Sequence, residues 1–259
     1  MPTPKHGLGL KPDRYDPRDM IFEATPRHFI AAVPPRIDLR NLCSPVRDQG
    51  HQGSCTGFAI GSGLREFLEN KSHNPSPMAV LSPAFIYYEE RKMEHTTDED
   101  AGARIRDGMK VLAKMGVCPE EDERYNEDVF TQPPSAKAVG DAKPFRIKAY
   151  HRVTTLQGLK HAVAQTNGAV LGIAVYESFE SADAERTGHI PMPQPDEQVL
   201  GGHALFCCGY QDDTAYEGGG FLIVKNSWGT GFGDQGYVYL PYAYISDPKL
   251  TSDIWTASL

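Results

Sequence analysis

The run Gln49-Gly50-His51-Gln52-Gly53-Ser54-Cys55-Thr56-Gly57-Phe58 decides how this chain is read. Small residues crowd a turn and a cysteine closes it. An apolar stretch at helical spacing follows at once through Phe58, Ala59, Ile60, Leu64, Phe67 and Leu68. A thiol at a helix N-terminus feels the positive end of the helix dipole, which favours thiolate. Gln49, six residues earlier, brings a side-chain amide donor to the same turn. An activated nucleophile and an oxyanion donor are two of the parts that acyl transfer needs.

The other parts lie far downstream. His203 follows Gly201-Gly202 and opens the apolar run Ala204-Leu205-Phe206-Cys207-Cys208, which reads as a buried strand. Asn226 follows a second apolar strand, Phe221-Leu222-Ile223-Val224, and heads Asn226-Ser227-Trp228-Gly229-Thr230-Gly231-Phe232-Gly233. Two adjacent antiparallel strands bring His203 and Asn226 together. The asparagine carbonyl then accepts from one ring nitrogen and leaves the other for Cys55.

On these three motifs the chain resembles the papain-like cysteine peptidases, in which a nucleophilic cysteine near the mature N-terminus is followed about 130–150 residues on by His and Asn. His203 keeps that interval. Asn226 lies somewhat further on, because the Gly- and Asp-rich segment 211–220 lengthens the hairpin between the two strands. The resemblance runs from about Pro35 to the C-terminus. It implies an α+β, two-lobed fold, with a helix-rich lobe, a β-barrel-like lobe and a cleft between them. It implies an enzyme, a thiol protease that hydrolyses peptide bonds at Cys55, His203 and Asn226, with Gln49 as oxyanion donor and Trp228 covering the His–Asn hydrogen bond. Gly102 and Ala103 correspond to the backbone that pairs with extended substrate, and Ile105, Ala174 and Gly202 are candidates for an apolar subsite wall. No metal or organic cofactor is implied, and the partner is a peptide or protein substrate. Other readings of the same scaffold are a transpeptidase or acyl transferase, with an amine displacing water, and an inactive peptide-binding protein.

The chain also departs from the family. Gln52 stands where a disulfide-forming cysteine is usual, and the segment Asp100-Ala101-Gly102-Ala103 lacks the partner cysteine, so that bridge is given up at both ends. Thr56 replaces the aromatic residue that usually follows the nucleophile. The other cysteines, Cys43, Cys118, Cys207 and Cys208, read as small buried hydrophobes. No C-x-x-C pair offers a zinc site.

A chain of 259 residues with 40% hydrophobic content builds a substantial core. Its formal net charge of −8 and the lack of any basic run exclude nucleic acid as a natural partner. No apolar run approaches membrane-spanning length, so no membrane partner is expected. The N-terminus lacks the apolar core of a secretory signal, so the expected location is the cytoplasm or beyond it by another export route.

Residues 1–34 carry Pro and charge without helical periodicity and read as an arm, either a structural strap or a short segment blocking the cleft and regulating access. The peptidase domain spans 35–259, mainly helical over 35–135 and mainly β over 136–259. Within it, a helix runs from Cys55 to about Asn70. Ser82 caps another, with Pro83 at its first position. Ile105, Met109, Leu112 and Met115 mark a third that stops at Gly116. The stretch 145–150 alternates like a strand, 155–165 reads as a short helix, and 169–175 and 236–240 read as strands. His51, His73, His95, His151, His161 and His189 fit no site pattern.

Overall fold

The structure is a computed structural model and describes residues 3–24, 32–165 and 167–259. The expected arm therefore lies partly outside the described residues, at 1, 2 and 25–31. A seven-stranded antiparallel sheet forms one half of the molecule: β1 (Arg36–Asp38), β2 (Ala149–Arg152), β3 (Ala169–Tyr176), β4 (Val199–Asp212), β5 (Gly220–Lys225), β6 (Tyr237–Pro241) and β7 (Thr251–Ser258). Its order is β2-β7-β3-β4-β5-β6, with β1 added to β4, so the sheet is open rather than a closed barrel. Helices α1 (Cys55–Gly57), α2 (Glu66–His73), α3 (Pro83–Glu94) and α4 (Ile105–Lys114) form the other half, while α5 (Ala136–Asp141), α6 (Leu156–Ala164), α7 (Ala182–Thr187) and α8 (Tyr242–Ser246) connect or flank the strands. The α+β class is as the sequence implies.

Helix boundaries follow local chemistry. The Ser82 hydroxyl accepts from the Phe85 N–H at 3.0 Å, Pro83 takes the first helical position, and His95 ends α3 in the left-handed region. Gly116, at φ +89°, stops the chain after α4. One expectation shifts. Instead of a strand from 145, Lys143–Phe145 makes a 3-10 turn and β2 begins only at Ala149, opposite Ser258. Pro144 fixes φ and supplies no N–H there, so the ladder starts beyond it.

The helix after Cys55 runs longer than expected, to His73, and its middle, Phe58–Arg65, winds as a π-helix. Gly63 lies in that stretch because a Cβ there would come within 2.5 Å of Phe206 Cβ on β4. Bare backbone at this point lets helix and strand approach closely and sets Cys55 against the strand that carries His203. Above this contact Phe67, Ile60, Ile105, Met109 and Phe206 share one buried cluster, and on the far side of the sheet Leu171, Leu205, Tyr210, Leu222 and Trp228 share another.

The cysteines expected as buried small hydrophobes are buried and free. Where the family disulfide is missing, polar contacts tie the same two segments. The Gly53 N–H donates to the Asp100 carboxylate at 3.0 Å, the Tyr87 hydroxyl donates to Asp100, and Gly102 N–H donates to Tyr87 at 3.1 Å.

Candidate active site

Cys55 opens α1 and is fully buried. Its sulfur lies among the backbone N–H groups of Ala204, Thr56 and Gly9. Across from it, Ile173 on β3 pairs with His203 on β4, and the β4–β5 hairpin returns to Asn226 just after Lys225. His203 Nε2 meets Asn226 Oδ1 at 2.8 Å, and the Ser227 N–H donates to the same oxygen at 2.8 Å. Two donors converge on that oxygen, so the amide orientation is fixed and Nε2 carries the proton. His203 Nδ1 then points away from Asn226 with its lone pair, and it has no hydrogen-bond partner among the described residues. Trp228 stacks on the imidazole with centroids 4.6 Å apart, where the sequence places a cover for this hydrogen bond.

Gln49 is fully buried beside the nucleophile turn. Its Nε2 donates to Gln52 O at 2.8 Å and to Gly7 O at 3.1 Å, and its Oε1 accepts from the Ser227 hydroxyl at 2.6 Å. Ser227 is thus a site residue that sequence reasoning missed. Its neighbourhood to Asn226 was the available signal, since one residue there bonds both Asn226, through its N–H, and Gln49, through its hydroxyl.

The larger omission is the arm's path. It enters with Lys5, whose backbone N–H reaches the Glu180 carboxylate at 2.9 Å. His6 stacks on Trp228, with centroids 4.4 Å apart. The Gly7 N–H donates to Gly50 O at 3.0 Å, and Gly7 O takes the Gln49 amide. Gly9 O accepts from the Ala103 N–H at 2.8 Å, Leu10 N–H donates to Gly202 O at 3.0 Å, and Lys11 N–H donates to Ala103 O at 2.9 Å. Leu10 and Ala103 form a parallel bridge. The arm therefore uses the backbone of Ala103 as a strand edge. Gly102 (φ +67°) leaves room for it, since a Cβ there would lie 2.0 Å from Gly9 O.

The expected subsite wall is partly assembled by the same segment. Leu10 lies against Gly202, and a Cβ on Gly172 would meet Leu10 Cδ2 at 2.9 Å, Ile105 Cδ1 at 3.1 Å and Ser252 Oγ at 3.1 Å. Ile105 and Gly202 thus share this pocket with Gly172 and Ser252, which the sequence did not single out. Ala174 comes near only through its register opposite Gly202. Further along, Asp13 anchors the arm to β7 and α4: it accepts from Trp255 Nε1 at 2.8 Å and from the Arg106 N–H at 3.1 Å. Leu10 and Phe22 are buried, so the described part of the arm contributes apolar residues to the core as well as lining the cleft.

This coverage sets the electrostatics. Burial pushes the Cys55 thiol up to about 11, against the three N–H groups that favour thiolate. Burial likewise pushes His203 down to about 4, against its hydrogen bond to Asn226. With the arm in place the site holds a neutral thiol and a neutral imidazole rather than the ion pair expected of an open cleft.

A sheet half and a helical half, with a cysteine at a helix start and a histidine–asparagine pair on the sheet, give the fold of a cysteine protease. The model of the papain family cysteine proteases matches residues 33–252, and the chain belongs to that family of hydrolases. It is 37% identical, over 95% of this chain and 83% of the relative, to an uncharacterized peptidase C1-like protein of Acanthamoeba polyphaga mimivirus. It is 31% identical to a cathepsin L-like peptidase of Aedes aegypti, over 80% of this chain and 58% of that protein. Among solved structures it is similar to xylellain, a cysteine protease from Xylella fastidiosa, with a TM-score of 0.87 and 35% identity over 100% of this chain and 98% of that one.

Proposed function

We propose that the chain is a peptidase that cleaves through Cys55, His203 and Asn226 with Gln49 as oxyanion donor, and that residues 5–11 hold it latent. One observation supports both parts: a peptide carbonyl, Gly7 O, already accepts the Gln49 amide in the cleft. In an open cleft Cys55 and His203 regain solvent and exchange a proton. The thiolate attacks the substrate carbonyl carbon, and the oxyanion is held by the Gln49 amide and a backbone N–H. His203 gives its proton to the leaving nitrogen as the C–N bond breaks, and a thioester remains. Water then attacks the thioester while His203 takes its proton. The acid leaves, and the thiol is restored.

Direction explains why the arm survives there. The leaving amine must lie on the His203 and Trp228 side, so the acyl part of a substrate lies along Ala103. The arm runs the other way, from Trp228 at His6 to Ala103 at Leu10. The nitrogen after Gly7 O therefore faces away from the proton donor, and a tetrahedral adduct at Gly7 reverts instead of cleaving.

The test is full-length protein with a fluorogenic peptide and an epoxide thiol reagent. Turnover is expected to vanish in Cys55→Ala, and the epoxide is expected on Cys55 alone by peptide mapping. Turnover retained in that variant overturns the assignment.

A further inference from the structure

Where the family carries an aromatic residue after its nucleophile, this chain has Thr56, and the space beside it is taken by a carboxyl from another helix. Glu90 projects from α3 and is fully buried, as is Thr56. The Thr56 hydroxyl donates to Glu90 Oε2 at 2.6 Å. Glu90 Oε1 has no hydrogen-bond partner among the described residues and abuts α4 at Gly108, where a Cβ would lie 2.0 Å from that oxygen and 2.3 Å from Ile60 Cδ1. One side chain thus joins the nucleophile helix to α3 and to the helix that begins at Ile105.

We propose that Thr56 and Glu90 form a positioning pair for the nucleophile, in which the buried carboxyl grips the residue after Cys55 and fixes the first turn on which the sulfur stands. The proposal rests on the peptidase reading above. The turn matters because the Thr56 N–H is one of the donors to the Cys55 sulfur. A shift of Thr56 moves that donor and the sulfur together.

The carboxyl does this work as a neutral acid. The charged or titratable groups that face it are Arg91 on its own helix, Glu94 one turn on, Asp107 on α4 and Cys55. Arg91 is committed to the carbonyls of Thr97, Glu99 and Phe130. Glu94 is paired with Lys11 and Arg104, and Asp107 with Lys110. Among the described residues no cation is left to pair with Glu90. An unpaired buried carboxylate gives up its charge, and burial accordingly holds this group well above the ordinary glutamate range. A neutral neighbour also leaves Cys55 free to become thiolate, which a second negative charge would oppose.

The test uses full-length chains, all carrying Gly9→Val to clear the cleft. Thr56→Val and Glu90→Ala are expected to lower kcat about tenfold with KM within about twofold, the scale of one lost hydrogen bond. They should lower the rate of Cys55 alkylation by iodoacetamide at pH 7 by a similar factor, with its pH profile moved to higher pH. Thr56→Ser and Glu90→Gln should recover most of both, since each keeps the hydrogen bond and neither adds charge. Alkylation does not require turnover, so it judges the pair even if peptide cleavage itself fails, and Cys55→Ala judges the peptidase reading separately. Thr56→Val with the parent's kcat and alkylation profile overturns the proposal. Glu90→Gln as impaired as Glu90→Ala overturns the neutral carboxyl.

Discussion

Gly9→Val should switch the full-length protein on. Besides the Gly9 N–H on the Cys55 sulfur, five hydrogen bonds to oxygen hold the cleft segment: Gly7 N–H to Gly50, Gln49 to Gly7, Ala103 N–H to Gly9, Leu10 N–H to Gly202, and Lys11 N–H to Ala103. Each is worth about 1 kcal/mol net of water. The buried Leu10 side chain adds about 2 kcal/mol. The His6–Trp228 stack adds up to about 1 kcal/mol. Against this, ordering five backbone residues costs about 1 kcal/mol each at the low end. The balance is about 2–3 kcal/mol, an open fraction of about 0.6–3%. A Cβ on Gly9 would lie 1.8 Å from the backbone oxygen of Gly53, a contact that no side-chain adjustment relieves. Segment 7–10 must then leave, while Asp13 and Phe22 still anchor the arm beyond it. The ceiling on the gain is the reciprocal of the open fraction, so kcat/KM on a small fluorogenic peptide should rise about 30- to 160-fold. Gly140→Ala, where a Cβ meets nothing within 4 Å, is the matched control and should change nothing. If Gly9→Val folds, with unchanged far-ultraviolet dichroism, and turns over no faster than wild type, the arm does not govern access.

Three further outcomes follow from the same geometry. Gln49→Ala should lower kcat by about 10²–10³ with little change in KM, because its amide is aimed at charge that develops only in the transition state; a KM effect with unchanged kcat would assign it to ground-state binding. Ser227→Ala frees Gln49 Oε1 and lets the amide rotate, so kcat should fall about three- to tenfold, with His203–Asn226 still fixed by the retained Ser227 N–H; unchanged kcat would show that Gln52 alone orients the amide. Glu90 sets a stability slope: its folded pKa is raised, so the folded state keeps a proton that the unfolded chain releases above about pH 4.5. Stability relative to Glu90→Gln is full below that pH and falls as pH rises toward the raised value; melting temperatures of the two proteins that stay parallel from pH 5 to pH 7 would refute a neutral Glu90.

What could be read in the sequence was whatever a side chain or a period announces. Cys55 at a helix start, His203 and Asn226 at the ends of apolar strands, and the Ser82-Pro83 cap each depend on local residue types, and the structure places them as their surroundings require. The arm left no such trace because its contacts are made by backbone. Gly7 and Gly9 are the residues that fit the cleft, and in sequence they look like loop. Only the finished fold shows that Gly53 and Gly102 are bare on the other side of the same contact. The Thr56–Glu90 bond was invisible for a different reason. Thr56 read as a loss beside the nucleophile, and Glu90 is one of three acidic residues on α3. Glu89 and Glu90 are both buried, and only the packing of α3 against α1 shows that Glu90 is the one that reaches Thr56. The same logic connects the omissions. Where this chain lacks the family's aromatic residue and disulfide, polar groups from distant segments fill the space, Glu90 at one and Asp100 at the other. Each replacement is a long-range pair whose members carry no mutual spacing, so the nucleophile's support could be located only once the helices were packed.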